Sequence, residues 1–144
     1  MSKFKYFELS EFIESEQAKK RGINNTPTFE IIDHLEELIT KILEPLREAY
    51  GKPLTISSGF RCPRLNQVVG GSPTSVHKIG YAADIQVKDV QGLFNFVTGW
   101  VKANGIMFDQ IFIESKGQTK WLHIGLKNNA GMYRRMISSI NVPE

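Results

Sequence analysis

Apolar residues recur at helical spacing between Thr26 and Pro45, with Ile31, Leu35, Leu38 and Ile42 on one stripe. Thr26 followed by Pro27 reads as an N-cap and a first helical residue. Glu30, Glu36, Glu37 and Lys41 then form the solvated face. Upstream, Ser10 can cap a short helix through residues 11–20, with Gly22 as its stop. A longer helix is predicted from Asp89 to Gly105. Elsewhere the period shortens to two, and PLTISS, AADIQV, FDQIFIE and WLHIGL read as strands. Gly59 to Ser75 is rich in Gly, Pro, Ser and Arg, which predicts an irregular segment with one helical turn at 65–69. The closing residues ISSINVPE show no such pattern and are expected to fray. Helices first, then strands with one helix between them, predict an α+β fold: a small antiparallel sheet with helices packed mainly on one face.

A chain of 144 residues with 41% hydrophobic residues can bury one core, so a single domain over 1–144 is expected. Its formal net charge of +3 is spread along the chain without a basic run flanked by stacking aromatics, which argues against nucleic-acid binding. The one cysteine, Cys62, excludes an intramolecular disulfide framework and reads as an ordinary thiol. MSKFKYFELSEF lacks the apolar stretch of a signal peptide, and no segment approaches the roughly 20 apolar residues of a membrane span. Synthesis in the cytoplasm and no membrane insertion are therefore expected. A monomer is expected.

The chemistry concentrates in SVHKIGYAADI and WLHIGL. His77 lies in the loop and Asp84 on the next strand. Strand alternation sets Trp121 and His123 on one face while Leu122 and Ile124 enter the core. A histidine, a carboxylate and a second histidine suit one zinc ion with an open fourth position, the arrangement of catalytic rather than structural zinc. Such a site needs a proton acceptor. In FDQIFIES, Gln110, Phe112 and Glu114 share a face, and a hairpin with the His123 strand would bring Glu114 to the site. Asp109 points the opposite way and is the weaker candidate. Arg61 has the planar fork that grips a carboxylate, and Ser58 and Ser75 can donate or accept near the site. Every one of these residues also has an ordinary explanation. A lone histidine, His34 included, is more often structural than a ligand; Asp84 and Glu114 can be strand-end charges; Arg61 can be a surface ion pair; the serines can close turns. Spacing alone leaves these alternatives open.

The stretch TISSGFRCPRLNQVVGGSPTSVHKIGYAADI, followed by FDQIFIE and WLHIGL, resembles the M15 family of zinc D-Ala-D-Ala carboxypeptidases and related phage endolysins. FELSEFIESEQAKKRGINNTP and ILEPLREAYGKPL resemble its phage-type branch. The block S-x-H-x-x-G-x-A-x-D is present as Ser75, His77, Gly80, Ala82 and Asp84. The resemblance implies Zn2+ on His77, Asp84 and His123, a substrate-holding Arg61, and hydrolysis of amide bonds in peptidoglycan peptides by a carboxypeptidase or an endopeptidase. It also implies a phage or prophage origin with action on the cell wall. One position departs: several branches carry an acidic residue three places before the last histidine, and Lys120 stands there. Glu114 is then the expected acid/base, and the competing expectation is a catalytically silent zinc-binding module of the same fold.

Overall fold

The computed structural model describes residues 3–142. Its first half is helical. A 3-10 turn, Leu9–Phe12, is followed by α1 (Glu16–Arg21), α2 (Phe29–Leu38), a π-helical turn at Ile39–Leu43 and α3 (Glu44–Tyr50). Strand β1 (Thr55–Ser58) and α4 (Pro63–Val68) precede a second 3-10 turn, Val76–Ile79. Then come β2 (Ala82–Gln86), α5 (Val90–Asn104), β3 (Gln110–Lys116), β4 (Thr119–Gly125) and β5 (Met136–Asn141). The sheet order is β1-β2-β4-β3-β5. All neighbours are antiparallel except β3 and β5, which run parallel.

Alternation sorts the sheet into two faces. Ile85, Ile111, Ile113, Leu122 and Ile124 enter the core with Leu35, Leu38, Ile42 and Leu46 of the long helical stretch and Leu93 and Val97 of α5. Their partners in alternation, including Gln110, Glu114 and Trp121, line a cleft. The fold is therefore α+β, as the order of elements predicts. Among the described residues, no helix is long and apolar enough to cross a membrane.

Four local expectations need correction. The helix expected from Ser10 is broken. Phe12 is fully buried and ends the 3-10 turn, Asn25 Nδ2 donates to the freed Ile13 carbonyl at 2.8 Å, and Ser15 caps the new start by accepting from Ala18 N. Gly22, at φ 64°, does supply the predicted stop. The second helix starts later than expected, because Thr28 rather than Thr26 accepts from Ile31 N. Pro45 does not end it. The π turn ahead widens the helix so that Glu44 N donates to Ile39 O, which accommodates a proline lacking its own N–H, and the chain stays helical to Tyr50.

The segment ISSINVPE also departs from its expectation. Residues 137–141 do not fray but form most of β5, while Pro143 and Glu144 lie outside the described residues. Every residue of β5 is exposed, so it carries no burial period to read. Backbone bonds hold it instead: Met136 N donates to Asp109 O at 2.8 Å and Val142 N to Ser115 O at 2.7 Å.

Candidate metal centre

His77 is presented by the 3-10 turn Val76–Ile79. Ser75 caps that turn by accepting from His77 N at 3.2 Å, and Gly80 closes it at φ 83°. A side chain at Gly80 would press on the Ile31 carbonyl, 2.8 Å from an ideal Cβ. His77 Nδ1–H donates to Gly59 O at 2.7 Å. Gly59 can lie there because its missing side chain leaves room for the Phe12 backbone. With the Nδ1 proton spent, the lone pair of Nε2 faces Asp84 Oδ1 at 3.2 Å.

Asp84 and His123 are brought together by sheet register, since Asp84 on β2 sits directly opposite His123 on β4. His123 Nδ1 lies 3.0 Å from the same Asp84 Oδ1, and its Nε2–H donates to Gln110 Oε1 at 2.7 Å. Phe112 stacks on the His123 ring with centroids 5.6 Å apart. One ligand atom from each of His77, Asp84 and His123 lies within 4.8 Å of the others, and all three residues are buried.

This geometry tests the fit of a cation from the donors alone. Each histidine gives its outer nitrogen to a neutral acceptor, which fixes the tautomer and turns the inner lone pair toward a carboxylate. Two lone pairs and an anion converging in a buried site repel one another unless a proton or a cation lies between them. Two imidazoles and one carboxylate are a donor set suited to zinc, with room for a fourth position. The residues fit the ion.

The charges agree. Burial alone would push the Asp84 carboxyl up, but His77 and His123 outweigh it and hold it far below the usual carboxylate range. For His77 burial prevails over the attraction of Asp84, so its pKa is lowered and the ring is kept neutral. For His123 burial is outweighed by the hydrogen bond and charge of Asp84 and by the charge of Glu114, so its pKa is raised.

Arg61 stands in the cleft wall, and its guanidinium is engaged. Nη2 donates to Asp84 Oδ2 at 3.1 Å, Nε to Ser58 Oγ at 3.1 Å and Nη1 to Asn66 Oδ1 at 3.3 Å. A register shift between Ile56 and Ser58 sets Ser58 opposite Asp84. Asn66, buried in α4, also donates from Nδ2 to Ser72 O and so ties the Gly-rich loop to the same network. Ser75 lines the cleft as well as capping the His77 turn.

Glu114 is turned into the cleft on β3. Its Oε1 accepts from Trp121 Nε1 at 2.7 Å and lies 4.0 Å from His123 Nδ1. Trp121 is thus a cleft wall that holds Glu114. Asp109 is not in the cleft. It is fully buried and takes the N, Nε and Nη2 donors of Arg134, clamping the segment that leads into β5. Lys120 is exposed, does not line the cleft, and borders a separate hollow with Lys52 and Lys88. Its amine therefore does not displace a proton acceptor from the site. His34 is structural: Nδ1–H donates to Ile79 O at 2.6 Å and the ring stacks on Tyr81 at 4.0 Å.

The residues missed from the sequence are Gln110 and Asn66, which orient His123 and Arg61, and the Gly59 carbonyl, which orients His77. Only Gln110 left a signal, since alternation placed it with Phe112 and Glu114. The cleft holds about 660 Å³, the size of a site for a short peptide or small molecule.

The family profile described as Peptidase M15 matches residues 5–124. A zinc D-Ala-D-Ala carboxypeptidase of Streptomyces albus G is 46% identical over 44 residues, covering 30% of this chain and 17% of that protein. The matched stretch is thus under one fifth of that relative's length.

Proposed function

Because the chain belongs to the peptidase M15 family, we propose that it is a zinc peptidase of D,D-carboxypeptidase or endopeptidase type that hydrolyses amide bonds in peptidoglycan stem or cross-link peptides. The observation that carries this reading is the pair of histidines whose outer nitrogens are tied to Gly59 O and Gln110 Oε1 while their inner nitrogens meet at Asp84. The curated relative, by its name, acts on D-Ala-D-Ala with zinc.

His77 through Nε2, His123 through Nδ1 and Asp84 through Oδ1 would hold the ion. When bound, zinc supplies Lewis acidity that activates water near neutral pH and polarises the carbonyl under attack. The remaining work falls to this chain's own side chains. Arg61 holds the second oxygen of Asp84, leaving Oδ1 to the cluster. Trp121 fixes Glu114 by one oxygen, so the other is free to accept a proton from the attacking water and pass it to the leaving amine. Ser75 and Arg61 line the path of the peptide. A wall substrate places the action outside the cell membrane, with release by a phage or prophage as the proposed route.

Purified peptidoglycan incubated with the zinc-loaded protein, with fragments read by mass spectrometry, tests the reading. Release of D-alanine or of shortened stem peptides is expected. Intact muropeptides after prolonged incubation would refute it.

A further inference from the structure

We propose that the hollow bordered by Lys52, Lys88 and Lys120 is a second binding site, separate from the metal cleft, that holds a chain of phosphodiester-linked polyol units. Such a site would act alongside the peptidase chemistry and does not depend on it.

Sheet topology builds this hollow. β1 runs antiparallel to β2, and β2 to β4, so the start of β1, the end of β2 and the start of β4 share one end of the sheet. Thr55, Gln86 and Thr119 stand at those three places, and each lines the hollow. Lys52 precedes β1, Lys88 follows β2 and Lys120 lies on β4, all three exposed. Lys120 alternates with Leu122 and Ile124, which enter the core, whereas its neighbour Trp121 lines the cleft on the other face. No residue lines both cavities.

The cations of the hollow are largely uncommitted. Lys88 and Lys120 have no hydrogen bond, ion pair or ring contact among the described residues, and Lys52 Nζ lies only over Tyr50, 5.5 Å from the ring centroid. The carboxylate in the lining, Asp89, is turned to another task. Its Oδ1 accepts from Gly92 N at 2.9 Å, and both oxygens crowd the place where a side chain at residue 92 would stand. Asp89 thereby caps α5, whose positive end offsets its charge. Three ammonium groups are left with no carboxylate of their own.

The class of ligand follows from this chemistry. Ammonium point charges without an arginine fork suit phosphate oxygens. The Thr55 and Thr119 hydroxyls and the Gln86 amide add neutral donors. The hollow holds about 760 Å³, far more than one phosphate group fills, so its separate cations fit successive groups of a chain. Nucleic acid is disfavoured, because its bases bind by stacking on open aromatic faces. Tyr50 is the sole aromatic residue in the lining, and its ring is already taken by Lys52 and by Phe96, whose centroid lies 5.3 Å away. A polyol phosphate needs no such platform. Because Lys120 and Trp121 are adjacent on β4, a polymer in the hollow lies just across the sheet from the cleft.

Fluorescently labelled poly(glycerol phosphate), titrated with the protein and read by anisotropy, tests the site without turnover, so the result is independent of whether the cleft cuts peptides. Saturable binding that weakens with salt is expected. Lys52→Gln, Lys88→Gln and Lys120→Gln should each weaken it about two- to fivefold, the range of exposed charge contacts, and the triple variant about tenfold or more at an unchanged melting temperature. Arginine at the same three positions should retain binding. A second triple variant, Lys19→Gln, Lys20→Gln and Lys102→Gln, removes equal charge from exposed positions outside the hollow and should bind like wild type. Inorganic phosphate and a single-stranded oligonucleotide of matched charge should compete poorly. No binding by wild type, equal loss in the two triple variants, or competition by phosphate or the oligonucleotide as strong as by unlabelled polymer overturns the inference.

Discussion

If Glu114 is the proton acceptor proposed above, Glu114→Gln isolates that step from everything else at the site. The substituted amide keeps an oxygen that can accept from Trp121 Nε1, so the 2.7 Å bond that positions the side chain survives. What it removes is the second carboxylate oxygen as a proton acceptor. It also removes a negative charge 4.0 Å from His123 Nδ1. Loss of a general acid/base slows a reaction about 10²- to 10⁴-fold, or about 3–5 kcal/mol of barrier. The lost charge acts on His123 more weakly than that of Asp84, which lies closer to both histidines, at 3.0 and 3.2 Å. Zinc content should therefore stay at one ion per chain and the melting temperature should move little, while kcat on a peptidoglycan substrate collapses. Asp109→Asn provides the contrast. It keeps one acceptor oxygen for Arg134 N and Nε but sets an amide NH2 against Nη2 and removes the charge of a fully buried carboxylate, so it should lower stability by about 1–3 kcal/mol without touching proton transfer. Near-wild-type kcat in Glu114→Gln, with zinc bound, would refute the assignment.

Other expectations follow from the same contacts. Gln110→Met removes the acceptor of His123 Nε2–H and should weaken zinc binding about 10- to 100-fold, measured by chelator competition, whereas Gln110→Glu should retain it. Arg61→Lys gives up the fork that joins Asp84, Ser58 and Asn66, so both zinc affinity and thermal stability should fall, by about 1–3 kcal/mol in stability; an unchanged melting temperature would argue against a structural share for this residue. Zinc must displace any proton on His123, whose pKa Asp84 and Glu114 raise above the ordinary 6.5. Apparent zinc affinity should thus weaken as pH falls, starting at a higher pH than for an ordinary histidine, which calorimetric titration across pH can follow.

The metal cluster was legible because its spacing is a matter of strand alternation. Once 119–125 and 82–86 are strands, Asp84 and His123 each have a definite face, and a loop histidine just before the second strand has little distance to travel. The same alternation put Glu114 in the cleft and kept Asp109 out of it. What stayed hidden depends on register and on the backbone. Nothing in the sequence says that Ser58 lies opposite Asp84, because a strand irregularity after Ile56 sets that pairing. The resemblance assigned Arg61 to the substrate, and the sequence held no sign that its guanidinium also joins Ser58, Asn66 and Asp84. The acceptor for His77 is a main-chain carbonyl, which has no residue type to search for. Strand β5 was missed because its side chains are all exposed, and Pro45 misled because a π turn has no sequence rule as strong as that against proline within a helix.

The proposed zinc site is defined by which atoms meet the ion. Crystals of the zinc-loaded protein measured on either side of the zinc absorption edge would locate it by anomalous scattering. One peak is expected, at about 2.0–2.2 Å from His77 Nε2, His123 Nδ1 and Asp84 Oδ1, with Gln110 and Gly59 still holding the outer nitrogens. A peak elsewhere, or a protein saturated with zinc that shows no density between these three side chains, would contradict it.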